Sequence, residues 1–301
     1  MNVQQLANDF RENYMLRRLK PTTIQGYERN INAYILPFLS EKPLEAVGYS
    51  LIDDFVRKMG SQGLSNTSIV YVLATLSKMY SYAVKRQYTS HNPLLTYDYP
   101  RKNAFQYSTL TQEQVEKLLV ACESEDEFPA LLLACHYGLR RGEVCGVNTK
   151  DIVGNVLTIR RTTTRIKGQS VTTTPKNGKV RCIKLSDEDT KALASYNRQR
   201  KRNAKGVLMR DKDGQTVTPN AINKRLRKRL RELGLPRVRF HDLRHSYATI
   251  MMQNSVNPKI VSTVLGHSSV DITLDLYSHC CIDMQDACLQ VFKKSTENKK
   301  P

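Results

Sequence analysis

Apolar residues in the first hundred positions recur at helical spacing. Ile24, Tyr27, Ile31, Tyr34 and Ile35 form one stripe, entered by Thr22-x-x-Gln25 in the pattern of a capping box, with Pro37 placed to end it. Leu51, Ile52, Phe55, Val56 and Met59 make a second stripe after Ser50. A third runs through Ile69, Val72, Leu73, Leu76, Met79, Tyr80 and Ala83, entered by Gly63-Leu64-Ser65. At these spacings the aromatic residues read as core rather than as base-stacking groups. The pattern then lapses around Pro93 and Pro100. This predicts a helical domain over residues 1–90, a linker over 91–108 and a second domain over 109–301.

The second domain opens on Thr111-x-x-Gln114 before Val115, Leu118 and Leu119, again a helix entry. Pro129 suits a first helical turn, and the run ALLLACHYGL behind it reads as buried. From Val156 the period changes to two, through NVLTIRRTTT, QSVTTT and KVRCIKLS, rich in β-branched residues. Asn177-Gly178 is a hairpin-turn signal, which sets Lys176 at a β-turn. Helical patterns return in DEDTKALASYNRQRKRN and from Pro219 to Leu233. The fold class that follows is mainly α: an α-helical domain, then a mixed α+β domain with a small antiparallel sheet.

Charge sharpens the picture. The chain carries 47 Lys and Arg against 28 Asp and Glu, a net +19, which makes a polyanion the expected partner. Residues 1–103 hold 13 basic and 8 acidic side chains and the remainder 34 and 20, so both parts are cationic. In the helix from Pro219, Ile222, Leu226, Leu230 and Leu233 form one apolar stripe. Lys224, Arg225, Arg227, Lys228, Arg229 and Arg231 crowd the other faces, and the helix is expected to lie along DNA phosphates. No run approaches the ~20 apolar residues of a membrane span. The seven cysteines, without C-x-x-C spacing, read as reduced thiols, and the N-terminus lacks a signal-peptide pattern. A cytoplasmic location without membrane attachment is expected.

Four segments hold candidate chemistry: GLRRGEV (138–144), TPKNGKVRCIKL (174–185), HDLRHSYAT (241–249) and LGHSSVDITLDLYSH (265–279). Each alone has a plain structural explanation; Arg140 could be a surface arginine, Lys176 a turn lysine and Tyr277 core packing. Together the order Arg140, Lys176, His241-x-x-Arg244, His267, Tyr277 resembles the tyrosine recombinase/phage integrase family. GLRRGE is similar to the family's first arginine box, with Glu143 three positions on, and HDLRH and LGHSS match nearly letter for letter. Tyr277 lies ten residues after His267, a spacing of the integrase branch. The N-terminal helices resemble the family's core-binding, SAM-like domain. Core-binding helices begin almost at residue 1, so an arm-binding domain is either dispensed with or removed.

The residue types suit phosphoryl transfer, in which catalysis is mostly positioning and electrostatics. Planar, always-charged arginines match non-bridging oxygens bidentately, so Arg140 and Arg244 are expected to clamp the scissile phosphate. Tyrosine is a weak nucleophile at its free pKa near ~10 and needs a base and a cationic setting. The resemblance implies Tyr277 as that nucleophile, His241 as acceptor of its proton, Lys176 as general acid and His267 as a phosphate hydrogen-bond donor. Glu143 would orient the site. It further implies a 3′-phosphotyrosine intermediate, a Holliday junction, and no cofactor or metal. The expected substrate is double-stranded DNA at core-type attachment sites of a mobile element or prophage. A homotetramer would act on two duplexes, with an excisionase or a host DNA-bending factor as candidate accessory partners. The tail after Tyr277, with Ile282, Met284, Cys288, Leu289, Val291 and Phe292, is expected to dock on a neighbouring protomer. Rival readings are an Xer-like resolvase, a type IB topoisomerase-like strand transferase, and a non-catalytic regulator built on a helix-turn-helix from Pro258. A metal site on His241 and His245 is disfavoured by Arg244 between them and by the absence of a zincin glutamate.

Overall fold

In a computed structural model the chain divides into two compact units, Met1–Gln106 and Tyr107–Pro301. The structure describes residues 1–102, 108–166, 168–174, 180–201 and 206–266. Lys176, His267, Tyr277, the Asn177-Gly178 turn and the C-terminal tail lie outside the described residues.

The first unit is helical. Helix α1 (Val3–Phe10) continues through a π-helical turn, Arg11–Met15, into α2 (Leu16–Arg18). Helix α3 (Pro21–Asn30) continues likewise through Ile31–Ile35 into α4 (Leu36–Leu39). Two expectations are corrected here. Helix α3 starts at Pro21 with Lys20 as N-cap, because proline's fixed φ suits the first helical position and pre-empts Thr22. Pro37 does not end the helix: the widened turn, in which the Leu36 N–H reaches back to the Ile31 carbonyl, accommodates a residue with no N–H to give. Helices α5 (Tyr49–Ser61) and α6 (Asn66–Lys85) follow, the latter capped by Ser65. Leu6, Phe10, Ile31, Ile35, Ile52, Leu73 and Tyr80 fill the core. The Tyr80 hydroxyl donates to the Leu44 carbonyl, so its polar end is satisfied. Of the stretch expected as a linker, Leu94 and Tyr97 are buried in this same core, and the Tyr97 hydroxyl donates to Asp53 at 2.7 Å.

The second unit begins with α7 (Gln112–Cys122), entered by the Thr111–Gln114 capping box. Helix α8 (Phe128–Tyr137) is buried among its neighbours on every side but one, where His136 is exposed and meets Asp189. It ends where Gly138 turns left-handed (φ +63°) and the Leu139 N–H returns to the Leu133 carbonyl, so the chain reverses sharply. Any Cβ at Gly138 would also lie 2.3 Å from Leu265, so nothing larger fits. Short α9 (Arg141–Gly146) leads into the strands β1 (Ile152–Val153), β2 (Val156–Ile159), β3 (Thr162–Ile166), β4 (Gln169–Thr173) and β5 (Arg181–Lys184).

The strands form two antiparallel sheets, β1-β2-β5 and β3-β4. The antiparallel register brings Val153 opposite Val156 between β1 and β2, a two-residue turn at Gly154-Asn155, and Ile166 opposite Gln169 between β3 and β4. The strands flanking Asn177-Gly178 belong to different sheets, β4 pairing with β3 and β5 with β2. Helices α10 (Asp187–Arg198), α11 (Pro219–Glu232), α12 (Phe240–Gln253) and α13 (Pro258–Leu265) complete the unit. Leu131, Leu133, Leu139, Val144, Leu157, Ile222 and Leu243 are among its core residues. Among the described residues, no helix is long and apolar enough to cross a membrane.

Candidate active site

The reversal after α8 delivers Arg140 to the N-cap of α9, where a cap must satisfy free N–H groups. Glu143, one turn on, does so: its Oε2 accepts the Arg140 backbone N–H at 2.9 Å and its Oε1 accepts Arg140 Nη1 at 3.1 Å. Helix α12 opens in the same way, with the Asp242 carboxylate accepting the Arg239 backbone N–H at 2.8 Å and its guanidinium. That cap fixes the rotation of α12 and hence the direction of Arg244, two residues further along.

Arg244 is buried, 3% exposed, against two helix ends. Its Nη1 donates to the Gly138 carbonyl at 2.7 Å and its Nη2 to the Leu265 carbonyl at 2.8 Å. Arg140 reaches the same place, donating to the carbonyls of Leu265 and Gly266, both at 3.3 Å. The two arginines, far apart in sequence, thus meet at the C-terminal carbonyls of α13, which carry the negative end of that helix. Gly266, left-handed at φ +64°, is the residue just before His267. Burial, then the neighbouring Arg140 charge, push Arg244 down to about 9, so it remains a cation at neutral pH.

His241 lies one turn before Arg244, with an exposed edge. Burial of the rest of the ring, then the charges of Arg244 and Arg140, hold it below the usual imidazole value, so it is neutral at pH 7 and able to accept a proton. Its ring packs edge-on against His245, centroids 5.0 Å apart. Burial, then His241, push His245 down to about 4. The unfolded chain therefore takes up a proton at His245 more readily than the folded one below the ordinary value of 6.5. Stability contributed by neutral His245 is whole above that value and is lost as pH falls toward 4, up to about 3 kcal/mol. Denaturant melts at neutral pH and near the lower value should show this loss in wild type and a smaller one in His245→Phe. Equal losses would assign the acid sensitivity to other groups.

A groove of ≈ 530 Å³ opens beside His241, lined by Arg141, Arg227 and Arg239 together with Asn223 and Phe240. Of the six α11 cations expected to meet phosphates, Arg227 lines this groove, and Lys224 and Arg231 are exposed. Arg225 and Arg229, also expected to meet phosphates, are engaged with carboxylates. Arg225 pairs with Asp126 at 3.0 Å, and Arg229 with Glu127 at 3.1 Å and Glu125 at 2.5 Å. Lys228 pairs with Glu232 at 3.6 Å on the surface. The acidic stretch just before α8 neutralises one face of α11 and pins it to the core.

Sequence reasoning also missed Arg181. Its two Nη atoms take both oxygens of Glu143 at 2.8 Å. Burial alone would raise the Glu143 carboxyl, which is 3% exposed, but the hydrogen bonds and charge of Arg181 and then of Arg140 outweigh it and hold it below the usual range. A signal existed: in KVRCIKL, Arg181 shares the inward face of β5 with buried Ile183, and an arginine there calls for a buried carboxylate. Among the described residues, no three His, Cys, Asp or Glu come together in a way that could hold a metal ion.

Comparison with known proteins identifies the family. Residues 108–282 match the phage integrase family, and residues 8–87 match the phage integrase N-terminal SAM-like domain. The chain belongs to the phage integrase family, the tyrosine-type site-specific recombinases. A tyrosine recombinase XerC-like protein of Caldanaerobacter subterraneus subsp. tengcongensis is 26% identical, over 86% of this chain and 74% of its own length. The ICEBs1 integrase of Bacillus subtilis is 25% identical over the same shares, 86% and 74%. Among solved structures, the Tn1549 transposon integrase in complex with transposon right end DNA superposes with a TM-score of 0.82 at 22% identity, covering 96% of this chain and 99% of that one. A lambda integrase tetramer bound to a Holliday junction superposes at 0.75 and 19% identity, covering 92% and 77%.

Proposed function

We propose that the protein integrates and excises a mobile element or prophage, cutting and rejoining double-stranded DNA through a phosphotyrosine at Tyr277. The observation that carries this reading is the convergence of Arg140 and Arg244 on the Leu265 carbonyl, with His241 one turn away. Two guanidinium groups there match the non-bridging oxygens of a phosphodiester. Tyr277 Oη attacks the phosphorus and gives its proton to neutral His241. The bond from phosphorus to the 5′ oxygen breaks, and Lys176 supplies the proton that oxygen needs. His267 donates to a phosphate oxygen, and Glu143 holds Arg140. The 3′-phosphotyrosine keeps the bond energy, so a 5′-hydroxyl from a second duplex reverses the step. One such round, exchanging one pair of strands, forms a Holliday junction within a homotetramer on two duplexes, and a second round resolves it.

Domain roles follow: residues 1–90 grip the core-type site, and the unit from 109 carries the chemistry. The similarity to a transposon integrase and to the ICEBs1 integrase favours a mobile element. The similarity to XerC-like recombinases supports a second reading, resolution of chromosome dimers.

The test starts from a pool of randomised duplexes, from which bound DNA is selected and sequenced to give the core site. That site is then placed in a nicked duplex, so that a cleaved strand fragment diffuses away and traps the covalent complex. Wild type should form it in EDTA and without ATP. Failure to form it under any condition would overturn the reading, and loss in chelator restored by Mg²⁺ would overturn the metal-free chemistry. A site matching an element's ends supports integration, and one matching a single chromosomal locus supports dimer resolution.

A further inference from the structure

Two guanidinium groups hold one carboxylate at the candidate site, and they do not share it equally. Arg181 holds Glu143 fork to fork, both contacts at 2.8 Å, and its own side chain is 16% exposed. Arg140 has one side-chain bond to Glu143, at 3.1 Å, and remains 34% exposed. Its other contacts, to the carbonyls of Leu265 and Gly266, are 3.3 Å long and easily exchanged for a phosphate oxygen.

We infer that Arg181 is a positioning residue for the phosphate clamp: by occupying both oxygens of Glu143 it leaves Arg140 available to DNA. This rests on the reading that Arg140 and Arg244 hold the scissile phosphate. The physical reason is the cost of an under-paired buried carboxylate. Without Arg181, Glu143 must complete its pairing with the guanidinium that already touches it, and Arg140 would be drawn inward and neutralised.

A second contact ties Arg181 to the next catalytic segment. Its Nε donates to the Val264 carbonyl at 3.1 Å. A Cβ at Gly266 would lie 3.1 Å from its Nη1, so its guanidinium fills the space beneath the turn that leads into His267. Charge points the same way. Arg140, Arg181 and Arg244 against Glu143 leave an excess of two positive charges. That excess is comparable to the roughly two negative charges on a phosphodiester under attack.

The experiment is single-turnover cleavage of the nicked duplex by wild type, Arg181→Gln, Glu143→Gln and the double variant, with gel-shift affinity and thermal melts for each. Arg181→Gln should cleave about 100-fold more slowly, with affinity within about threefold of wild type, since many other cations hold the DNA. In the double variant the neutral amide that replaces the carboxylate no longer captures Arg140, and at least about tenfold of the loss should return. Wild-type rates in Arg181→Gln, losses that simply multiply in the double variant, or failure of both Arg181 variants to fold would each overturn the inference. A wild type that forms no covalent complex would instead overturn the proposed function, so the two failures are distinct.

Discussion

Replacing Tyr277 with Phe should abolish covalent attachment to DNA and leave binding of the core site nearly intact. The substitution removes one hydroxyl, the atom proposed to attack phosphorus, and no other side chain of the proposed constellation carries a hydroxyl; the Glu143 carboxylate is held by Arg181 and Arg140. Affinity has a separate origin. It is expected to come from a chain with a net charge of +19, from Arg141, Arg227 and Arg239 along the groove beside His241, and from the exposed cations Lys224 and Arg231. Wild type on the nicked duplex should accumulate a complex that survives denaturing electrophoresis, and the Phe variant none, while native gel shifts of the two superpose. A covalent complex in Tyr277→Phe would show that another residue attacks. Equal loss of binding and cleavage would show that Tyr277 holds the fold or the DNA rather than reacting.

What could be read from the sequence was what is local along the chain. The caps at Thr111 and Ser65, the buried helix behind Pro129 and the change to period two at Val156 each depend on residues within a few positions of one another. The motif resemblance likewise marked Arg140, His241 and Arg244 before any contact was known, and the structure brings these three to one place. What stayed hidden depends on partners distant in sequence. Arg229 looks like a free cation beside Arg227 because the carboxylate that neutralises it, Glu127, lies 102 residues earlier. Arg181 looks like one more basic residue because Glu143 is 38 positions away on another element. Pro37 misled for a different reason. The usual rule assumes a regular ladder, and a π-turn just before the ring relaxes that ladder. The pairing of β5 with β2 was hidden too, since β3 and β4 intervene and pair with each other.

Arg244→Ala should slow cleavage far more than it weakens the fold. In the free protein Arg244 is a costly cation: burial and the adjacent Arg140 push it down to about 9, and its ties are to the neutral carbonyls of Gly138 and Leu265. Losing two charge-assisted hydrogen bonds costs about 1.5–3 kcal/mol each, but removing a desolvated charge beside another of the same sign offsets much of that. A net stability change within about 2 kcal/mol is expected, read by denaturant melts. In the proposed reaction a phosphodiester arriving between Arg140 and Arg244 adds a second anion beside Glu143, which pairs with Arg140 and not directly with Arg244, and the interaction strengthens as charge builds on the equatorial oxygens. Its loss should therefore lower the cleavage rate by about 10²–10³. Arg244→Lys keeps the charge but cannot span both carbonyls with one planar fork, so it should recover little of the rate. A scissile methylphosphonate, neutral in the ground state, gives the second readout. Less charge needs less clamping, so the gap between Arg244→Ala and wild type should narrow on it. An unchanged gap, or an activity loss that merely follows the folded fraction, would mean that Arg244 supports the packing of α8, α12 and α13 and does not bear on the phosphate.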